Sequence, residues 1–269
     1  MANLYQGSLW IHHTWKQIEN LDPDKTIFVI PTGAIEQHGP HLPVDTDIFN
    51  ANAIAEYVAK KSDLMSVIVL PPIWWGTSPH HKGYPGTLSL RLETFYHLLH
   101  DLIESVKSHG FYRFLILNGH GGNAGIITAA TSQISFDLGI SISSFSYWQS
   151  IHETLVRIGD SPIGGMGHAC EMETSLALYL RPELVDVAEI RSDLPEQRSP
   201  WSCIDFRQPG FLGIGLDFRR DSKEGVMGDP TLATAEKGKI IFESACQAAS
   251  DVIYGLAKLK KENLMVQRF

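Results

Sequence analysis

Between Gly33 and Asp47 the chain reads GAIEQHGPHLPVDTD, with one Glu, two His, two Asp, two Pro and two Gly, and no Lys or Arg. One imidazole and two carboxylates, from His38, Glu36 and Asp47, are the nitrogen and oxygen donors that a catalytic zinc or manganese ion takes. Glu36 and His38 stand two residues apart, so extended backbone aims both to the same side. Asp47 falls at the foot of a helix, where an acid also complements the helix dipole. His41 and Asp45 suit supporting or turn roles in the same loop.

Two further segments carry such residues. NGHGGN, at Asn118–Asn123, offers His120 as a ligand, with glycines that let backbone approach closely. It has neither the Walker Gly-Lys-Ser/Thr ending nor GxGxxG spacing, although a helix start of free N–H groups also suits an anion. GHACEMETS, at Gly167–Ser175, supplies His168, Glu171 and Glu173. The two acids, two apart on a helix, point in different directions, so only one is expected to face a site. SPHHKGYPGT adds tandem His80 and His81, which either reach the site or decorate the surface.

The elements that must position these residues alternate. TIFVI (Thr26–Ile30), SVIVL (Ser66–Leu70), FLIL (Phe114–Leu117) and ISISSF (Ile140–Phe145) read as strands. Asp47–Lys61, Leu92–His109, Asn123–Leu138, Glu171–Leu180 and Thr234–Lys258 read as helices, the second closed by Gly110. The pattern implies a largely parallel sheet covered by helices on both faces, and the length permits one large domain or two small ones. Ligands of such sheets sit beyond the carboxyl ends of the strands, where all three segments fall.

Composition narrows the classes. The 269 residues are 43% hydrophobic and carry a net charge of −8, which excludes nucleic acid and anionic membrane as partners. Cys170, Cys203 and Cys246 form no CxxC pair, pointing to a reducing compartment. No secretory signal and no run of ~20 apolar residues is present, so a cytoplasmic protein is expected. Trp10, Trp15 and Trp201 read as packing residues. Trp74 and Trp75 read as packing, pocket or interface residues, and PGFLGIGL (Pro209–Leu216) as an assembly surface.

Together PTGAIEQHGPHLPVDTD, PGT (Pro85–Thr87), LNGHGGN, SYW (Ser146–Trp148), GHACEMETS and GDPTLATAEKG (Gly228–Gly238) resemble the creatininase (creatinine amidohydrolase) family, from about residue 30 to 240. The resemblance implies a three-layer, creatininase-like α/β/α fold with residues 1–269 as a single domain, a two-metal site of Zn, Mn or Fe, and a homohexamer. By position, Glu36 and His120 would hold one ion, His38 the other, and Asp47 would bridge. Creatininase has an acid two residues after the matching histidine. Here that position is Gly122, so Glu173 is expected to complete the second, less certain site, with Glu171 the alternative.

The resemblance further implies His168 and Glu173 as catalytic, with Trp148 against the substrate plane and Gly121 and Gly122 near it; His81 joins the substrate contacts where its loop reaches the site. The aromatic wall that creatininase places before the matching histidine is replaced by GGMGH, so creatinine itself is not the expected substrate. The reading is a metal-bound hydroxide cleaving a C–N bond of a cyclic amide or N-formyl small molecule. In that reading His168 stabilises the oxyanion or protonates the leaving nitrogen. The alternatives are ring opening of a cyclic ketone of the inositol or sugar type, and a non-catalytic metal- or phosphate-binding module.

Overall fold

The computed structural model describes residues 8–194, 196, 199, 201–208 and 210–267. Strands β1 (Thr26–Thr32), β2 (Ser66–Val69), β3 (Phe114–Asn118) and β4 (Ile142–Ser146) form a wholly parallel sheet in the order β2-β1-β3-β4. Register pairs Phe28 with Phe114 and Thr32 with Asn118, so the carboxyl ends of β1 and β3 finish level. A two-stranded ribbon of β5 (Met166–His168) and β6 (Met227–Gly228) lies apart from it.

Strands covered on both faces must be apolar on both, and these are. Ile27, Val29, Val67, Val69, Leu115 and Leu117 pack with helices α1 (Thr46–Lys61), α4 (Glu171–Leu180) and α5 (Ala235–Ala257). Phe28, Ile30, Ile68, Phe114 and Ile116 pack with α2 (Leu92–Lys107) and α3 (Ala124–Leu138). The alternation of side chains along each strand sorts the core into these two layers, which completes the α/β/α sandwich. Trp10 packs on Phe28, whereas Trp15 and Trp201 are more than half exposed and pack into neither core. Those two depart from the sequence expectation, because a short surface helix and an irregular loop give an indole no interior to enter.

Helices α4 and α5 cross in close contact, with Gly238 at the crossing. A Cβ there would stand 1.9 Å from the Ser175 carbonyl oxygen, a backbone atom that cannot swing aside. Gly238→Ala must therefore separate the helix that carries Glu173 from its neighbour. We expect a loss of about 1–3 kcal/mol, read as a lowered midpoint in thermal unfolding. An unchanged midpoint would show that the crossing is loose.

Among the described residues no helix is long and apolar enough to cross a membrane. All three cysteines are free.

Candidate metal centre

β1 ends at Thr32, and the loop that follows doubles back beneath α1. Gly33 and Gly119 allow this, since a Cβ on either would fall within 2.5 Å of α1 backbone at Ile48 or Asp47. The loops after β1 and β3 are thus pressed onto the first turn of α1. Asn123 fastens them by donating to the Gly33 carbonyl at 2.9 Å and accepting from Thr77 N–H at 2.9 Å. The two Asn of NGHGGN are fasteners, with Asn118 donating to the His120 carbonyl and accepting from the His120 N–H.

Glu36, His38, Asp47, His120 and Glu173 are all buried, and all but His38 line a chamber of about 570 Å³. Asp47 divides its carboxylate. Oδ1 lies 3.1 Å from His38 Nε2, and Oδ2 lies 2.9 Å from His120 Nδ1. Glu36 Oε1 is 3.3 Å from His120 Nδ1, and Glu173 Oε1 is 3.9 Å from His38 Nε2. The donors therefore fall into two groups, Glu36 with His120 and His38 with Glu173, which share Asp47.

The surrounding hydrogen bonds orient these donors. His38 Nδ1 donates to the Glu36 carbonyl at 3.1 Å, which leaves Nε2 toward the carboxylates. His120 Nε2 lies 3.3 Å from the Thr77 carbonyl and 3.2 Å from Ser78 Oγ, which leaves Nδ1 inward. Glu173 Oε2 accepts the Cys170 N–H at the start of α4, so Oε1 is the oxygen that faces His38. Such outer partners fix the ring tautomer and direction of a metal-binding histidine.

The residues fit a cation on two grounds. Glu36 Oε2 is a buried oxygen without a hydrogen-bond partner, and Asp47 Oδ2 meets only the His120 ring, an expensive condition for carboxylates unless a cation lies against them. In addition, three carboxylates face a chamber with no Lys or Arg among the described residues that line it. In the metal-free chain the histidines carry the compensating charge. Burial alone would lower the His38 pKa, but Asp47, Glu173 and Glu36 lift it to about 9. Burial pushes the Glu173 carboxyl up to about 7 despite the pull of His38. Asp47, although buried, is held well below the usual carboxylate range by His38 and His120.

Glu171 turns away from the chamber. It accepts from the N–H groups of Asp160 and Ser161, each at 3.0 Å, and pairs with Lys237. It ties α4 to α5, and the acid in reach of His38 is Glu173. Asp45 pairs with Arg181 at 2.7 Å, and His41 Nε2 meets Thr174 Oγ1 at 2.8 Å, so both support the loop from outside.

His168 ends β5 directly before Ala169, the one non-glycine residue of positive φ (48°) among those described, and its ring lies 4.3 Å from that of His38. Its Nε2 donates to the Gln37 carbonyl at 2.8 Å, and Nδ1 lies 3.8 Å from Glu36 Oε1. Trp148 lines the chamber and packs on Phe206, with Gly121 and Gly122 also in its lining.

The tandem histidines separate. His81 is 1% exposed with both ring nitrogens engaged, Nε2 at 3.2 Å from Glu36 Oε1 and Nδ1 at 2.8 Å from Gln37 Nε2. His80 is half-buried at the chamber wall, stacked at 5.9 Å on His120, with neither ring nitrogen hydrogen-bonded to a described residue. A Cβ on Gly122 would meet His120 Nε2 at 2.4 Å, the Thr77 carbonyl at 2.5 Å and His80 at 2.9 Å. No side chain fits there beside this arrangement of histidines.

Phe206, Phe218, Ile214 and Leu216 complete the wall, and sequence reasoning passed over the first two. Only the apolar run PGFLGIGL hinted at this wall. Ile214–Leu216 of that run line the chamber, Phe211 is exposed, and Pro209 lies outside the described residues. Trp74 and Trp75 are nearly half exposed and do not line the chamber.

A sequence profile of the family described as creatinine amidohydrolase (Creatininase) matches residues 12–253. The chain is 30% identical over 251 residues to the mycofactocin precursor peptide peptidase of Mycolicibacterium smegmatis, across 89% of this chain and 88% of the relative. It is 32% identical over 243 residues to the 3-dehydro-scyllo-inosose hydrolase of Thermotoga maritima, across 84% and 76%. A solved structure described as creatininase Mn superposes with a TM-score of 0.80 at 25% identity, covering 94% of this chain and 100% of that one. A mutant creatininase of Zn-Zn type gives the same TM-score and identity, covering 93% and 98%.

Proposed function

The chain belongs to the creatininase family of metal-dependent hydrolases, and from that premise we propose that it hydrolyses a C–N bond of a cyclic amide or N-formyl small molecule. The observation that carries this reading is the convergence of Glu36, His38, Asp47, His120 and Glu173, with the buried Glu36 Oε2 left without a hydrogen-bond partner. Glu36 and His120 would hold one divalent ion, zinc or manganese, and His38 and Glu173 the other, with Asp47 between them. Ions so held supply Lewis-acid polarisation of the scissile carbonyl and acidify a water molecule.

The chain's own part in the chemistry falls to His168. Burial first, then the neighbouring His38, holds its pKa well below the usual histidine range, so the ring enters the reaction neutral. With Nε2–H donated to the Gln37 carbonyl, the bare Nδ1 faces Glu36 and the chamber. The ring therefore accepts a proton from water before it delivers one to the leaving nitrogen, which needs an acid because an amide anion leaves poorly. A ring with no proton to give on that side does not begin as an oxyanion donor.

Trp148 and Phe206, tilted 43° to each other, offer an aromatic wall, and His80, whose ring nitrogens meet no described hydrogen-bond partner, supplies a polar contact within the chamber. No Lys or Arg stands among the described residues of the lining, which favours a neutral substrate. A homohexamer is part of the same proposal, supported by the exposed indoles of Trp74 and Trp75, and sedimentation tests it.

A panel of cyclic amides, N-formyl compounds and cyclic ketones, assayed with Mn²⁺ and Zn²⁺, tests the reaction. Turnover is expected among the first two groups. Opening of cyclic ketones alone, the chemistry that the inosose hydrolase relative makes a second reading, would refute the C–N assignment and keep the site. On a substrate so found, His168→Ala should lose about 10²–10⁴ in kcat with metal content unchanged.

A further inference from the structure

Gln37 lies between two donor residues and carries no charge, yet its buried side chain makes more contacts around the centre than its neutral amide leads one to expect. Its Oε1 accepts the Gly39 N–H at 2.9 Å, which fixes which end of the amide is oxygen. Its Nε2 then has two hydrogens and three neighbours, the Gly225 carbonyl at 2.9 Å, His81 Nδ1 at 2.8 Å and His168 Nε2 at 3.1 Å. His168 Nε2 is committed as a donor to the Gln37 carbonyl, so it cannot accept. The two hydrogens go to Gly225 and to His81.

That assignment settles the His81 ring. An Nδ1 that accepts leaves the proton on Nε2, and Nε2 is the atom 3.2 Å from Glu36 Oε1. Phe218 holds the ring from the other side, with centroids 3.9 Å apart. Gly225 adopts φ +82°, and a Cβ on it would stand 1.9 Å from Gln37 Oε1, so this backbone and this amide require each other.

We propose that Gln37, clamped between the Gly39 N–H and the Gly225 carbonyl, is a positioning residue that holds His81 as its Nε2–H tautomer and through it orients the Glu36 carboxylate. The inference rests on the metal reading for its purpose, whereas the tautomer stands apart from it. Carboxylate–histidine pairs around metal ligands act in this way, and losing an outer partner costs about 10–100-fold in metal affinity.

Ring ¹⁵N shifts of His81 in the full chain test the geometry, with zinc affinity measured by competition against a chromogenic chelator. The wild type should show a bare Nδ1 and a protonated Nε2. Gln37→Leu should mix the tautomers and weaken zinc about 10–100-fold. Gln37→Glu, nearly isosteric, can offer His81 only an acceptor and should move the proton to Nδ1, a reversal that a merely structural role would not produce. Gly225→Ala, which leaves Gln37 in the chain, should shift His81 as Gln37→Leu does. A wild-type His81 protonated on Nδ1 would overturn the proposal, as would a Gln37→Glu variant that keeps the original tautomer. Failure of the wild type to bind zinc would instead strike the metal reading and leave the ring assignment to its own test.

Discussion

Asp47→Asn is expected to empty the centre of metal while the chain stays folded. The residue gives one oxygen to each donor group, Oδ1 beside His38 and Oδ2 beside His120, and Oδ2 has no other partner. An amide keeps the volume and one acceptor, but it removes the charge and turns an NH₂ toward one of the two histidines. Both groups lose their shared ligand at once, so the loss of affinity should exceed the ~10–100-fold that follows removal of an outer partner. Glu36→Gln and His120→Ala each reach one group directly and should abolish binding there. Metal content by elemental analysis after desalting, with circular dichroism as the control for folding, gives the answer. An Asp47→Asn protein that keeps its full complement of metal would refute the shared-ligand arrangement.

The second large effect is a loss of stability with rising pH in the metal-free protein that metal loading suppresses. In the metal-free chain His38 is raised from 6.5 to about 9 by Asp47 against the cost of burial, and His120 is raised as well by Glu36 and Asp47. A base raised on folding lends stability that is complete below its unfolded pKa and is lost as pH climbs through the folded value. Glu173 is raised from 4.5 to about 7 by burial, so its folded form also prefers the proton and loses that advantage as pH rises. Asp47 runs the other way, but its lowered pKa confines its effect to strong acid.

Between about pH 6 and pH 9 the metal-free protein should therefore lose stability, on the order of 3 kcal/mol for a group shifted as far as His38. Metal binding needs these same donors deprotonated, so affinity rises over the same range. Calorimetric unfolding of chelator-stripped and reloaded protein should show the gap between the two midpoints widening with pH. A constant gap, or a metal-free midpoint that rises with pH, would contradict these charges.

The layers were open to sequence reading because parallel strands covered on both faces leave continuous apolar runs, as in TIFVI and FLIL, while surface helices leave periodic ones. Phe28 and Val29 belong to opposite core layers for no reason beyond the alternation of side chains along a strand. The metal-donor types were equally open, since few sequences put Glu36, His38 and Asp47 on one Pro-pinned loop without a use for them. Contacts between segments were not. Glu171 and Glu173 are the same residue type in the same helical turn, and only the position of Lys237 on α5 makes one a tie and the other a candidate ligand.

His80 and His81 divide for the same reason. Adjacent identical side chains carry no information about which is buried with both ring nitrogens engaged and which stays half-buried at the chamber wall. Thus the sequence by itself determined the sandwich and the chemical kind of the site, through local periodicity and donor type, which are properties of short stretches. The tertiary structure alone decided which acid and which histidine face the centre, that Gly122 leaves no space for a side chain, and that Gly225 reaches back to Gln37. Those outcomes depend on packing between residues as many as 188 positions apart, which no local pattern encodes.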